Sequence, residues 1–397
     1  MIRAVLLDIS SCLLSTDPHI QKEIADSLDA LRDIGVMSIG FTNQQAGEAL
    51  GRLNAAGVNA DEVVTRADVG IAKGSPRWVE WVCARYDMQP PELIIVGAEK
   101  LAMVTASHAK VLFVNAGWGV RDVGYGIPLA LPSLLPTFIA EFMNQPHPWY
   151  WVLDGSDAAG RRVEGRALVQ GKGDYVEGLG GDLMDVLHKG RTIDIGPFDF
   201  LDFVLYHALG SLYGEGLVQQ ADLWTVYPGH AGGANDTIAG VLDLAAKLVR
   251  GGFLPDLLLR HAIAGDASLR RARGQLVQFE DQLSTVRLNA AHREKVDGAS
   301  ILIFDDFITE GHSFDWARNL LLEAGAARVV GVFVGVYGGV KGFRSPVDGT
   351  VLDPYANVNL TSADFSTRWL DGELDGEALT AFAGSYRRLG AQGRTTR

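Results

Sequence analysis

The sequence has only two cysteines, Cys12 and Cys83, in 397 residues. Neither a disulfide framework nor a cysteine metal cluster can be built from so few, so a reducing cytoplasm is the expected compartment. No apolar stretch approaches the roughly 20 residues of a membrane-spanning helix. The apolar run at the N-terminus is interrupted by Asp8 and is too short for a secretory signal. We therefore expect a soluble, cytoplasmic protein with no membrane partner.

Positive charge is also scarce. The 35 lysines and arginines are outnumbered by 48 aspartates and glutamates, which leaves a formal net charge of −13. This balance argues against a broad surface for nucleic acid or anionic lipid, although it is compatible with a local basic site. The rest of the composition is that of an ordinary globular protein, with 47% hydrophobic and 21% charged residues. This hydrophobic content is enough for cores of normal size. The length predicts about two domains.

Apolar segments alternate with helical patterns in the N-terminal part of the chain. Strands are predicted at residues 4–7, 36–41, 93–96 and 111–114, and helices at 18–33, 44–56 and 73–86. This alternation indicates a doubly wound parallel sheet, which binds ligands beyond the carboxyl ends of its strands. Asp8, Thr42 and Glu99 follow predicted strand ends, and Lys73 opens a predicted helix. These side chains are therefore candidates for a site.

The order of Asp8, Thr42 and Lys73 resembles the haloacid dehalogenase (HAD) superfamily. In that family an aspartate nucleophile ends the first strand, a threonine or serine ends the next, a lysine follows, and a Gly-Asp-x-x-x-Asp motif holds magnesium. The resemblance implies an HAD-like domain over residues 1–125, with Asp8 as the catalytic group. It also implies that Thr42 and Lys73 bind the ligand.

Three positions depart from the HAD pattern. Ser10 stands in place of the general acid, and Ala98 and Ala102 replace both carboxylates of the magnesium motif. Because Mg²⁺ needs carboxylate oxygens beside a phosphorylated aspartate, Asp8 and Glu99 are the metal ligands that the resemblance leaves. We expect this domain to be weak or inactive as a phosphatase.

The C-terminal part contains the stretch ILIFDDFITEGHSF at residues 301–314. Its four leading apolar residues predict a buried strand over 301–304 that ends at Asp305 and Asp306, and a helix is predicted over 316–324. Backbone N–H groups in a loop before a helix form an anion site. Neighbouring carboxylates accept hydrogen bonds from vicinal hydroxyls. The pattern therefore indicates a sugar-phosphate site.

This stretch resembles the phosphoribosyl-diphosphate (PRPP) loop of type I phosphoribosyltransferases. In that family an acidic pair holds the ribose hydroxyls and a Thr-Thr-Gly backbone cradles the 5′-phosphate. Asp305 and Asp306 match the acidic pair, and Glu310 stands where a second threonine is usual. The resemblance implies that the acidic pair is catalytic and holds Mg²⁺. It also implies a phosphate-binding loop made of Thr309, Glu310, Gly311, His312 and Ser313.

Two further segments carry candidate phosphate ligands. His230 lies in a glycine-rich segment after a strand predicted at 223–227, and it is either a pyrophosphate donor or part of a plain strand-to-helix turn. A basic cluster is either a flap over a pyrophosphate or a solvated helix face, and it consists of Arg270, Arg271 and Arg273. The order of Arg260, Gln275, Arg287 and Asn289 loosely resembles the ComF-type branch of phosphoribosyltransferases. Lys341, after a strand predicted at 328–336, is either a contact for phosphate or a base or, as we expect, a plain surface lysine.

The expected fold class is therefore α/β, with two doubly wound parallel-sheet domains. An HAD-like Rossmannoid domain is predicted over 1–125, a connecting region over 126–190, and a domain of type I phosphoribosyltransferase fold over 191–397. The connecting region is predicted to contain a β-hairpin formed by residues 149–153 and 163–169.

Three functions stay open. The resemblances imply a phosphoribosyltransferase that binds PRPP or a nucleoside 5′-phosphate with Mg²⁺ and transfers ribose 5-phosphate to or from a base. The first alternative is a non-catalytic regulatory or assembly subunit that binds PRPP or a nucleotide, for example in a stress or phage-defence system. The second is an HAD phosphatase that acts on a nucleotide. A homodimer or membership of a larger complex is compatible with each, and the base is not identified.

Overall fold

The computed structural model describes residues 1–121, 123–171, 179–189, 191–229, 242, 251–263 and 278–395. The chain is divided into two units. The first comprises Met1–Gln145, Leu209–Gln220 and Leu244–Gly251, and the second comprises Pro146–Ala208, Ala221–Asp243 and Gly252–Arg397. His230 and the arginine cluster at 270–273 lie outside the described residues.

The first unit is built on a six-stranded sheet in which every pair of neighbours is parallel. Its strands are β1 (Ala4–Asp8), β2 (Met37–Thr42), β3 (Glu62–Thr65), β4 (Leu93–Gly97), β5 (Leu112–Ala116) and β6 (Ile127–Leu129). Across the sheet the order is β3-β2-β1-β4-β5-β6. The chain thus moves outward from β1 to β3 and returns to the other side of β1. This reversal opens a crevice between the carboxyl ends of β1 and β4, where open parallel sheets bind their ligands.

Burial along the strands agrees with helices on both faces of this sheet. Strands β1, β4 and β5 are buried at every position, as is usual for parallel strands that are covered on both sides. The α/β class predicted for the N-terminal part is therefore confirmed. The helices of residues 1–145 are Ile9–Cys12, Pro18–Asp33, Ala46–Ala55, Arg66–Val69, Arg77–Tyr86, Lys100–His108 and Leu134–Phe138, followed by a π-helical turn at Ile139–Met143.

The helix predicted over 73–86 is shorter than expected. It begins at Arg77, with Pro76 at its N-cap, so Lys73 lies in the preceding turn and the prediction that it opens the helix is wrong. The physical reason is proline, because its ring disfavours helical backbone at the residue before it.

The second unit has a larger, mixed sheet. The remaining strands in chain order are β7 (Trp151–Ser156), β8 (Arg162–Gln170), β9 (Asp194–Ile195), β10 (Phe198–Asp199), β11 (Leu223–Val226), β12 (Gly252–Phe253), β13 (Leu258–Arg260), β14 (Val286–Leu288), β15 (Ser300–Ile308), β16 (Arg328–Val336), β17 (Val340–Pro346), β18 (Phe365–Asp371) and β19 (Glu373–Leu374). Seven of them form a sheet in the order β12-β11-β15-β16-β8-β7-β19. The first five are mutually parallel, and β7 and β19 are antiparallel additions at one edge.

The strand order of this sheet also reverses once near its centre. The chain runs from β11 outward to β12 and then returns to place β15 on the other side of β11. The carboxyl ends of β11 and β15 therefore flank a second crevice of the type that binds ligands. Pairs β9–β10, β13–β14 and β17–β18 form separate two-stranded ribbons.

The remaining helices complete the described chain. They are Leu179–Lys189, Phe200–Gly214, Leu217–Gln220, Glu280–Leu283, Arg293–Val296, His312–Glu323 and Gly376–Thr395, with single 3₁₀ turns at Pro90–Glu92, Ala290–His292 and Ser362–Asp364. None of the helices in the described part of the chain is long and apolar enough to cross a membrane.

Two predicted boundaries in the second unit need correction. The strand predicted over 301–304 runs on to Ile308, because its ladder with β16 continues through the acidic pair as far as Ile308 and Val336. Backbone pairing needs no apolar side chains, so the polarity of Asp305 did not mark the end of the strand. The helix predicted from 316 begins at His312. The hairpin predicted in the connecting region is present as β7 and β8, and both strands belong to the large sheet.

Candidate functional site

The crevice of the first unit is centred on Asp8, the last residue of β1. Asp8 is fully buried, and its Oδ1 accepts a hydrogen bond from the Ser11 N–H at 3.0 Å. This bond caps the short helix Ile9–Cys12 and sets the direction of the carboxylate. The Ser11 hydroxyl in turn accepts the Ala98 N–H at 2.9 Å, which joins the ends of β1 and β4.

Lys73 lies between two carboxylates of this crevice. Its Nζ contacts Oδ2 of Asp8 and Oε1 of Glu99. The Lys73 backbone is held by its N–H, which donates to Oδ1 of Asn43 at 2.8 Å, and the ammonium lies 5.3 Å from the centre of the Phe41 ring. The fold thus brings together Asp8, Lys73 and Glu99, which are three of the site residues predicted from the sequence.

The other residues proposed for the first unit surround this cluster less directly. Thr42 is buried, and its hydroxyl accepts the Gln44 N–H at 3.2 Å. Ser10 is half-buried at the start of the helix that Asp8 caps. A serine hydroxyl at this place does not titrate near neutral pH, so it cannot replace a carboxylic general acid.

Protonation of Asp8 works against a nucleophilic role. Burial raises the pKa of Asp8 to about 6, opposed by the Lys73 charge and assisted by a hydrogen bond with Glu99. Burial also acts to raise the pKa of Glu99, but hydrogen bonds with Asp8 and Lys73 hold it below its ordinary value. Below about pH 6 the proton of the pair therefore resides on Asp8, where it blocks attack by the oxygen that would act as nucleophile; at neutral pH the carboxylate is mostly ionised.

The residues of the first unit do not fit a magnesium ion. Ala98 and Ala102, which stand where carboxylates would be needed, are completely buried. A Cβ on Gly97 would lie 2.9 Å from the Cβ of Ala102, and one on Gly119 would collide with the Cβ of Ala98. Alanine at both positions supplies no oxygen ligand to a cation beside Asp8. Within the described residues, no group of three or more His, Cys, Asp and Glu side chains is placed to hold a metal.

The crevice of the second unit contains a cleft open to solvent, with about 370 Å³ of space at its mouth and walls together. Its walls are Asp305, Gln282, Phe333 and the whole of residues 307–314. The cleft thus lies directly on the loop that the sequence proposed for phosphate. Successive strand side chains point to opposite faces, and Asp305 is the carboxylate that lines it. Asp306 follows on the strand and accepts the Phe307 N–H at 2.7 Å.

Gly311 gives this loop its shape. Its φ is +86°, and it is the N-cap of the helix His312–Glu323. A left-handed residue here turns the chain from β15 into the helix at once, which glycine allows without a steric cost. The first N–H groups of the helix therefore point toward the cleft, where the helix dipole favours an anion. Glu310 is exposed beside this turn.

The surroundings of Asp305 disfavour the charged form of its carboxyl group. Burial, and then the charge of Asp306, raise its pKa well above the ordinary value, and Arg260 only partly offsets this. A hydrogen-bond donor or a cation in the cleft would relieve both effects.

Gln282, which lines the cleft, and its partners Tyr227 and Arg260 were missed or only partly found by sequence reasoning. The Tyr227 hydroxyl donates to Oε1 of Gln282 at 2.8 Å. Arg260 donates from Nε to the Gly229 carbonyl at 2.8 Å and stacks 5.7 Å from the Tyr227 ring centre. Arg260 was noted only for its position in a ComF-like order, and Tyr227 only as a strand end. No local signal marked Gln282, because a glutamine in a helical segment is ordinarily solvated.

Lys341 is not the surface residue that was expected. It is buried, and its Nζ donates to the carbonyls of Tyr337 and Gly338 at 2.8 and 2.7 Å. Burial lowers its pKa to about 8, although Glu310 and Asp371 act in the opposite direction. The prediction failed because a turn after β16 carries carbonyl acceptors that draw the ammonium inward.

Two further residues of the ComF-like order, Arg287 and Asn289, form hydrogen bonds with backbone groups. Nη1 of Arg287 donates to the Tyr355 carbonyl at 2.8 Å, and Oδ1 of Asn289 accepts the Ala291 N–H at 3.1 Å. Gln275 lies outside the described residues.

Comparison with known proteins is informative only for the first unit. No protein-family model matches the chain, and no curated protein matches it. Solved structures of HAD hydrolases are similar to its N-terminal part. An HAD-superfamily hydrolase, subfamily IA, variant 1, from Geobacter sulfurreducens has 16% identity over 34% of this chain and 98% of that chain, with a TM-score of 0.27.

A predicted phosphoglycolate phosphatase from Haemophilus somnus has 17% identity over 28% of this chain, with a TM-score of 0.26, and this chain spans 53% of that protein. Both likenesses concern the fold of the N-terminal part. The chemistry of this protein is therefore argued from its own residues.

Proposed function

We propose that the second unit binds PRPP, or a nucleoside 5′-phosphate, and transfers ribose 5-phosphate to or from a base. The observation that carries the proposal is the cleft at the strand reversal, where Asp305 and the N-terminus of the helix His312–Glu323 line one space. A sugar phosphate presents hydroxyls and an anion at two ends, and this cleft offers an acceptor and a set of N–H donors.

Each part of the cleft has a task in this reaction. The backbone of residues 309–313 would hold the 5′-phosphate, and the carboxylate of Asp305, which lines the cleft, would accept hydrogen bonds from the ribose hydroxyls. Asp306 would orient that carboxylate, because its N–H donates to Oδ1 of Asp305 at 3.0 Å. Holding the ribose in place lowers the entropic cost of attack at C1. Arg260, which donates to the carbonyls of Pro228 and Gly229, would hold the backbone that directly follows β11 in place.

The carboxylate of Asp305 would also suit the magnesium that accompanies a diphosphate, since Mg²⁺ prefers oxygen ligands and keeps much of its coordination on substrate phosphates and water. When bound, it neutralises charge on the diphosphate as that group leaves. The raised pKa of Asp305 is consistent with a group that meets a positive charge in the complex.

Phosphatase chemistry in the first unit is the less favoured function. The side chain that would attack phosphorus, Asp8, holds a proton up to a pKa of about 6, chiefly because of burial. The carboxylates of a magnesium motif are absent at Ala98 and Ala102, where both side chains are buried methyl groups. Binding of PRPP without turnover is the remaining alternative, and turnover assays on the same preparation distinguish it.

Calorimetric titration with PRPP and Mg²⁺ tests the proposal. We expect saturable binding to the unaltered protein and at least ~30-fold weaker binding to Asp305→Asn/Asp306→Asn, because hydrogen bonds to charged groups contribute about 1.5–3 kcal/mol each. Asp348→Asn/Asp353→Asn, which changes two exposed carboxylates of the same unit, should bind normally. Absence of binding to the unaltered protein, or equal binding by both double variants, would contradict the proposal.

Gly311→Ala should lower both the stability of the loop and the affinity of the protein for PRPP. At a φ of +86°, an alanine side chain costs about 1–2 kcal/mol, and relaxing the turn would misalign the helix N–H groups. We expect a lower urea midpoint together with several-fold weaker PRPP binding. Gly349→Ala is the matched control, because its φ is +89° and nothing crowds its Cβ. It should lose comparable stability and keep its affinity for PRPP.

A further inference from the structure

The side chain of Gln282 is a buried amide in the wall of the cleft of the second unit. Gln282 belongs to the short helix Glu280–Leu283 and is 7% exposed, and it lines the cleft together with Asp305 and residues 307–314. Burying an amide is costly unless its polar atoms find partners. The partners of its oxygen and of its nitrogen therefore decide what this side chain can do.

The oxygen of this amide already has two donors. Oε1 of Gln282 accepts the Tyr227 hydroxyl at 2.8 Å and Nη2 of Arg260 at 3.4 Å. A guanidinium can only donate, so the amide atom that faces Arg260 is the oxygen. Burial raises the pKa of Tyr227, which keeps its hydroxyl protonated and able to donate at neutral pH. The orientation of the amide is thus fixed from one side.

The nitrogen of the amide is directed away from these two donors. Among the residues that the structure describes, none accepts a hydrogen bond from Nε2 of Gln282. The nitrogen is also not sealed from solvent. Because Gln282 is otherwise buried and lines the cleft, the open side on which Nε2 lies is the cleft. Two N–H groups are therefore presented to a ligand.

This amide lies close to the loop proposed for phosphate. The Tyr227 hydroxyl, which holds Oε1, also interacts with the side chain of Ser313. Ser313 is in the first turn of the helix His312–Glu323, where free N–H groups and the helix dipole favour an anion. The N–H groups of Gln282 and those of the helix N-terminus thus line the same part of the cleft.

We propose that Gln282 contacts the bound sugar phosphate directly and donates a hydrogen bond from Nε2 to an oxygen of its 5′-phosphate. This inference rests on the function proposed above, and it adds a side-chain donor to the backbone of residues 309–313. Because Tyr227 and Arg260 hold the amide before the ligand arrives, little side-chain entropy is lost when the contact forms.

Two substitutions at Gln282 separate this role from a structural one. Gln282→Glu keeps an oxygen that accepts from Tyr227 and Arg260, but it presents a second oxygen and a negative charge to the cleft. Gln282→Met removes both the acceptor and the donor. We expect ribose 5-phosphate and PRPP to bind at least ~100-fold more weakly to the glutamate variant and about 10-fold more weakly to the methionine variant.

Stability should follow the opposite order. Gln282→Met leaves the buried Tyr227 hydroxyl without its acceptor, so its urea midpoint should be the lower of the two. If Gln282 only supported Tyr227 and Arg260, the methionine variant would be the worse in binding as well as in stability. The crossed order therefore identifies a contact with the ligand.

The measurement is calorimetric titration with PRPP and MgCl₂, with ribose 5-phosphate, and with inorganic phosphate. Gln278→Glu is the matched control, because it makes the same change at an exposed position of the same segment, and it should bind all three as the unaltered protein does. Binding by Gln282→Glu that equals that of the unaltered protein, or exceeds that of Gln282→Met, would overturn the contact.

The three probes also separate this contact from the function on which it rests. Binding of inorganic phosphate but not of PRPP, with loss of that binding in Gln282→Glu, would contradict phosphoribosyl transfer and support the contact with phosphate. Absence of binding of all three probes to the unaltered protein would overturn both.

Discussion

Replacing Arg318 with methionine is expected to lower the free energy of unfolding of the second unit by about 3–5 kcal/mol, the usual cost of removing one partner from a buried ion pair. The Arg318 side chain is completely buried. Its Nη2 donates to Oδ2 of Asp157 at 3.0 Å and to Oδ1 of Asp315 at 3.2 Å. Both carboxylates are also fully buried. Methionine fills much of the volume of the arginine. It leaves the buried carboxylates of Asp157 and Asp315 with less positive charge beside them.

The position of these residues explains why the effect should be large. Asp157 begins the turn between β7 and β8. Arg318 is in the helix that follows the cleft loop, and its Nη2 also donates to the Arg344 carbonyl of β17 at 3.0 Å. One guanidinium therefore joins three parts of the second unit. Burial raises the pKa of Asp315 to about 6, against the opposing charges of Arg318 and Arg344, so removal of Arg318 should raise this pKa further.

Urea denaturation measures the effect, with amide exchange of the peptide spanning 312–323 to assign it to this unit. Arg368→Met is the control, because Arg368 is exposed on β18, and it should change stability by less than about 0.5 kcal/mol. Adding Asp157→Asn and Asp315→Asn to Arg318→Met should restore part of the loss. If this triple variant is less stable than Arg318→Met, lost packing and not unpaired charge is the cause.

Asp8→Asn is expected to stabilise the first unit at neutral pH and to leave it nearly unchanged at pH 4. Burial raises the pKa of Asp8 from 3.8 to about 6, so between these values the folded state holds a proton that the unfolded state has lost. The unfolding free energy of the unaltered protein therefore falls as the pH rises through this window. A shift of this size corresponds to about 3 kcal/mol at 1.36 kcal/mol per pKa unit, and asparagine does not titrate.

The measurement is amide exchange of the β1 peptide at pH 4 and pH 7, corrected for the intrinsic exchange rate. The difference in opening free energy between Asp8→Asn and the unaltered protein should grow by about 2–3 kcal/mol over this range. Asp33→Asn, at the exposed end of the helix Pro18–Asp33, should show no such growth. A constant difference for Asp8→Asn at both pH values would mean that Asp8 is ionised throughout.

Local patterns in the sequence were sufficient to predict the α/β fold of the first unit. Asp8 follows an apolar run that can only be a buried strand, and the alternation with helical patterns makes the sheet parallel. Ligands bind beyond the carboxyl ends of such strands. The sequence therefore also predicted that Asp8 lies in a candidate site. The phosphoribosyltransferase fold of the second unit stays a prediction, although the cleft lies on the loop that suggested it.

Tertiary structure alone decided the electrostatics of both sites. Lys73 meets Asp8 across 65 positions of the chain, and Asp157 meets Arg318 across 161. No local pattern predicts such pairs, since the helical spacing around Arg318 is equally compatible with a solvated arginine. The free energy of a charge depends on burial and on partners that are remote in sequence. Packing therefore determined that the pKa of Asp8 is raised and that Lys341 is buried.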